Sequence, residues 1–161
     1  MSLICPNHQA SLLNDPVFAY QSWQQLMSDG SRCHSLNNYT AAQRYFNTAV
    51  ELSALIIEET KPQDPVRMYM LASHNLGASF NADAQPIMAE RTLLTMHTKI
   101  SQLCACQELC RELRLKALAQ LDDSLFSLLS HLGGQGKLEL LHDILLNTEA
   151  VAEKTARQMF H

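Results

Sequence analysis

The sequence predicts an all-α fold, a stack of three antiparallel helical hairpins made from about six helices. Three observations lead there. No stretch of the 161 residues sustains the apolar–polar alternation of a strand. Only five glycines and five prolines occur, and most fall where a helix would begin or end. Finally, "DPVFAY" at 15–20 returns as "DPVRMY" at 64–69. A period of 49 suits stacked helical pairs, in which each pair buries its face against its neighbours.

The helices follow in order. Asp15 is placed to cap a first helix, and Pro16 occupies the first helical position, where its missing N–H costs nothing. This helix is expected over 16–36. After the turn "NNY", a second helix over 39–59 carries the stripe Ala42, Tyr45/Phe46, Ala49, Leu52/Ser53 and Ile56. Asp64 and Pro65 start a third helix over 65–81, as Asp15 and Pro16 start the first. "NADAQP" makes the next turn, and Pro86 opens a fourth helix over 86–103.

From Ile87 to Leu132 there is neither glycine nor proline for 46 residues, too long for one globular helix. A break without a breaker residue is therefore expected between Leu103 and Cys106, with a fifth helix over 106–132. "GGQG" at 133–136 is the clearest loop, and a sixth helix spans 137–159. Its expected inner face is Leu138, Leu141, Leu145, Thr148, Ala152, Thr155 and Met159. The whole is expected to form one domain over 1–161.

Composition narrows the function classes. With 47% hydrophobic and 17% charged residues the chain is globular. A net charge of −4 and a pI near 5.9 do not supply the electrostatic footprint of a nucleic-acid binder. The densest basic cluster, Arg111, Arg114 and Lys116, is interleaved with Glu108 and Glu112 and reads as a solvated helix face. No apolar run approaches the roughly 18 residues of a membrane span, and "MSLICPNHQ" has no basic n-region or long apolar core of a signal peptide. Five cysteines without framework spacing suit reduced thiols, so a soluble cytoplasmic protein is expected.

Residues 26–52, "LMSDGSRCHSLNNYTAAQRYFNTAVEL", resemble a tetratricopeptide repeat. In that family a small residue late in the first helix lets the second approach closely, and Gly30 stands there. The family's turn aromatic, small residue, large aromatic and small residue are matched by Tyr39, Ala42, Phe46 and Ala49. Residues 73–96 match in part through Gly77, Phe80, Ala89 and Leu93, with Pro86 at the turn and Met96 at the last small position. The third pair has no glycine in its first helix, and the repeats are longer than typical.

The resemblance implies a right-handed superhelix whose concave face is lined by the first helix of each pair. Partner-groove positions would then be Gln24, Met27, Ser31 and His34 on the first helix, and Leu71, His74 and Asn81 on the third. None is Lys or Arg, so the family's clamp for a C-terminal carboxylate is not expected, and a groove for a neutral segment is.

Candidate chemistry is sparse. Cys104, Cys106 and Cys110 lie within seven residues. On a helix Cys104 points about 160° away from Cys106, and no second ligand pair completes a zinc set. Cys106 and Cys110 extend the stripe Leu113, Ala117, Leu121, Leu125, Leu128 and Leu132, and both are expected to be buried. Cys104 leaves that stripe and is the candidate for a reactive thiol. "GGQGKL" lacks the first glycine, the hydroxyl residue and the preceding strand of a phosphate loop. The histidines, His8, His34, His74, His97, His131, His142 and His161, form no metal or nucleophile motif, and adjacent Asp122 and Asp123 point about 100° apart.

The reading is a non-enzymatic adaptor that takes a protein or peptide segment in a groove, with no cofactor, metal, nucleic acid or membrane partner. The last helix would cap the stack or form a homodimer face. A small secretion-type chaperone, or a helical-bundle ligand-binding protein or enzyme using His and Cys side chains, is the alternative.

Overall fold

The computed structural model describes residues 4–57 and 64–160, with backbone alone at 6–8. All regular structure among these residues is helical: α1 (Pro6–Asn14), α2 (Pro16–Ser35), α3 (Tyr39–Ile56), α4 (Pro65–Ala82), α5 (Pro86–Ala105), α6 (Arg111–Gly134) and α7 (Leu138–Phe160). Six helices agree with the sequence reading to within a few residues, except at the start of α6. The expected end of the second helix at 59 lies outside the described residues. α1 is additional. The chain forms two compact units, one up to Ala89 and one from Glu90.

The helix starts follow the predicted chemistry. The Asp15 carboxylate accepts from Val17 N and Phe18 N, both at 3.0 Å, with Pro16 next to it. Asp64 accepts from Arg67 N at 3.1 Å, with Pro65 at the first position. Both satisfy donors that a helix start leaves orphaned.

Three turns share one closure. Asn37, Ala84 and Gly136 take positive φ of 58°, 54° and 72°. At each, the following N–H reaches back five residues: Asn38 to Cys33 O at 2.9 Å, Gln85 to Phe80 O at 2.8 Å, and Lys137 to Leu132 O at 3.2 Å. This is a left-handed helix stop satisfying terminal carbonyls. It also sets a common register. Five, nine and twelve positions on stand Ala42, Phe46 and Ala49, then Ala89, Leu93 and Met96, then Leu141, Leu145 and Thr148. Seven positions before it stand Gly30, Gly77 and Leu129.

In the N-terminal unit α3 packs against both α2 and α4. Ala42, Phe46 and Leu76 form one buried cluster. Ile4, Leu12, Ala19, Trp23, Ala49, Leu52, Met68 and Ala72 form another, through which α1 covers the first hairpin. Gly30 faces the Phe46 ring so closely that a Cβ there would lie 2.6 Å from Cε1 and 2.8 Å from Cδ1.

In the C-terminal unit α6 and α7 pair. The buried stripe of α6 is Leu113, Ala117, Leu121, Ser124, Leu128 and Leu132, with Ser124 where Leu125 was expected. On α7, Thr148, Thr155 and Met159 are buried, Leu141, Leu145 and Ala152 are half-buried, and Leu138 is exposed.

The break in the long run falls at Cys106–Cys110, just beyond the expected place. Side chains from elsewhere hold it. Arg114 Nε donates to Cys104 O at 3.0 Å, Thr155 Oγ1 donates to the same carbonyl at 3.3 Å, and Arg114 also donates to Gln158 Oε1 at 2.7 Å. A cation at the C-terminal end of α5 complements the helix dipole. Arg111 does the same for α7, donating to Met159 O at 3.0 Å beside the Phe160 ring.

The cysteines reverse their expected roles. Cys104 is fully buried, Cys106 is half-buried, and Cys110 is exposed at the residue preceding α6. The reason is the helix each belongs to. Cys104 continues the α5 stripe Leu93, Met96, Ile100 and Leu103, whereas Cys106 and Cys110 lie in the break and never join the α6 stripe. Burial raises the Cys104 thiol to a pKa of about 11 against the opposing pull of Arg114. It is therefore unsuited to be a reactive thiol, because the thiolate is the nucleophile.

Candidate functional site

A groove of about 310 Å³ lies in the C-terminal unit between α5 and α7. It sits at the lower end of the roughly 300–1,000 Å³ typical of ligand sites. From α5 it is lined by Leu94, His97, Thr98, Ser101, Gln102 and Ala105. From α7 come Ile144, Asn147, Thr148 and Val151. Helical spacing explains the set. On each helix these residues recur at three and four, beside the buried stripe and on the side facing the other helix. The lining holds no Lys, Arg, Asp or Glu. Leu94, Ala105, Ile144 and Val151 are apolar, and Gln102 and Asn147 add a carboxamide from each helix.

His97 is buried, with 5% of its surface exposed. Its Nδ1 lies 2.9 Å from Ser124 Oγ on α6, and its Nε2 lies 2.9 Å from Thr148 Oγ1 on α7. Each hydroxyl is also placed to donate to its own helix, Ser124 to Leu121 O at 2.8 Å and Thr148 to Ile144 O at 2.7 Å. One imidazole therefore ties three helices. Burial lowers its pKa below the ordinary histidine value.

The positions predicted from the repeat resemblance lie in the N-terminal unit. Gln24 and Ser31 are exposed on α2. Met27 is half-buried and packs on both hydrophobic clusters. His34 is half-buried, its ring edge-on to Tyr39 with centroids 5.3 Å apart, and its Nε2 is buried without a hydrogen-bond partner. On α4, Leu71 is 37% exposed, and His74 and Asn81 are exposed. Met27 thus contributes to the core as well as to the α2 surface.

The α5–α7 groove was not anticipated from the sequence, yet a signal existed. His97, Ser124, Thr148 and Thr155 interrupt otherwise apolar inner stripes on three helices. Polar residues at core spacing must find partners, and these find one another or a backbone carbonyl. Among the described residues, no group of three or more His, Cys, Asp and Glu could hold a metal ion. No helix there is long and apolar enough to cross a membrane.

Fold and groove define an all-helical protein of hairpin units with an uncharged cleft between two helices. The chain belongs to the family described as protein of unknown function (DUF2753), whose model matches residues 21–160. The matched span takes in the groove and all three turns, and begins after α1. Neither the curated proteins nor the solved structures contain a match to it.

Proposed function

We propose that the protein is a non-enzymatic interaction module of tetratricopeptide-like hairpins that seats an uncharged, apolar segment of a protein partner between α5 and α7. The observation that carries this is the groove itself, whose ten lining residues include no Lys, Arg, Asp or Glu. Burying a charged segment against such walls would leave its charge unpaired. An apolar side chain gains by entering, and Gln102 and Asn147 offer donors and acceptors to a peptide main chain. The repeated left-handed turn and the Gly30–Phe46 contact support the hairpin-repeat reading. A small secretion-type chaperone would be one such module. The expected cytoplasmic setting belongs to the same proposal.

The α2–α4 face, with Gln24, Ser31, Leu71 and His74, is the competing location. A photo-crosslinking benzoylphenylalanine at position 102 or at position 74, followed by peptide mapping, separates the two. Crosslinks from 102 to one apolar, uncharged segment, lost on Val151→Asp, are expected. Crosslinks from 74 alone would move the site to α2 and α4, and none from either would reject the module.

A further inference from the structure

Each of the two hydroxyls on His97 has a single proton. If Ser124 gives its proton to Leu121 O and Thr148 gives its proton to Ile144 O, both oxygens can only accept from the ring. Both ring nitrogens must then carry hydrogen, so this arrangement fits the imidazolium. A neutral ring donates from one nitrogen and accepts at the other. One hydroxyl must then turn from its backbone carbonyl to the ring. The clasp therefore has two states, separated by one proton and one hydroxyl rotation.

Thr148 and His97 both line the groove, so the clasp and the cleft share residues. The groups hydrogen-bonded to the ring are neutral: Ser124 from α6 and Thr148 from α7. The charged residues nearest in sequence on the three helices are Lys99, Asp122, Asp123, Asp143 and Glu149. The four carboxylates are exposed and Lys99 is half-buried. Burial accounts for the direction in which the ring titrates.

We propose that occupancy of the α5–α7 groove is proton-linked through His97: an uncharged segment that covers the ring keeps it neutral, so binding releases a proton and weakens as pH falls. This rests on the groove reading above. A segment that removes the last water from the ring disfavours its charged form further. The free protein can accept the proton more readily than the complex, and protonation pulls toward the free state. The affinity loss approaches, at most, about tenfold per pH unit below the free ring's titration point.

The test uses the full chain and a blocked neutral peptide, acetyl-Leu-Leu-Ala-Leu-amide. Calorimetry in two buffers of different ionisation enthalpy counts protons, and ring NMR follows His97. Expected results are proton release near the ring's titration point and a lower His97 titration point in the complex; His97→Gln alters the lining and so changes the affinity, and the binding that remains shows no pH dependence. Wild-type binding that is independent of pH, or tightens as pH falls, would overturn the proton link and leave the groove reading standing. No binding at any pH, with the His97 titration unmoved, would overturn both. The wild-type arm decides the question even if the variant fails to fold.

Discussion

In the N-terminal unit, α2 and α3 close on each other through a missing side chain on one helix, Gly30, and a ring on the other, Phe46. In the C-terminal unit, α5, α6 and α7 meet at a histidine ring held between two hydroxyls, and a buried arginine closes the end of α5. Buried polar side chains follow the same division. The N-terminal unit buries Ser53, Ser73 and Ser79, none of them ionisable at neutral pH, whereas the C-terminal unit buries His97 and Arg114 as well as hydroxyls. Size complementarity is indifferent to pH and intolerant of added volume. Polar ties demand hydrogen-bond geometry, and one made through an imidazole responds to protons. A binding cleft bordered by such ties can be regulated, and one bordered by Gly30 and Phe46 could not be regulated in that way.

Substitutions can break this contrast. The largest effect is expected for Gly30→Val, which forces atoms into the Phe46 ring. Overpacking of this kind costs about 1–3 kcal/mol or more. Urea unfolding should report it, with no change in pH dependence. Next is Arg114→Met, which strips Cys104 O of a charged donor inside the protein. Loss of about 1.5–3 kcal/mol is expected from that hydrogen bond. Proteolysis should then cut first at the 106–110 break. The smallest effect has the opposite sign. Ala84 holds a φ of 54°, a left-handed conformation that a side chain disfavours by roughly 1–2 kcal/mol. Ala84→Gly should therefore raise the melting temperature by a few degrees at most, because glycine's greater unfolded-state freedom offsets part of the gain.

Much of the architecture was legible because its causes are local. Asp15–Pro16 and Asp64–Pro65 announce helix starts from two adjacent residues. Asn37 and Gly136 are residue types that favour the left-handed turn they make, whereas Ala84 makes the same turn without being such a residue. α1 is not legible because nine residues are too few to repeat an apolar face, and its place comes from Ile4 and Leu12 packing on the first hairpin. The break at 106–110 was displaced from its expected position because its causes are distant in sequence. Arg114 and Thr155 reach Cys104 O from 10 and 51 residues away. That same displacement exchanged the roles of Cys104 and Cys106. The polar residues that border the groove are visible in the sequence, but their pairing is not, for a similar reason: Ser124 and Thr148 stand 27 and 51 residues from His97.

The central contrast can be measured residue by residue through hydrogen-exchange protection factors at about pH 7 and about pH 5. Burial holds the folded His97 below the ordinary value near 6.5 of an unfolded histidine, so the unfolded chain binds more protons as pH falls. This contribution to stability is present above about pH 6.5 and is lost progressively below it, down through the folded value. Protection should fall in α5, α6 and α7 on acidification, stay level in α2 and α3, and become insensitive to pH in His97→Gln. An equal fall in both units, or a fall that persists in His97→Gln, would contradict the assignment of proton sensitivity to the His97 clasp.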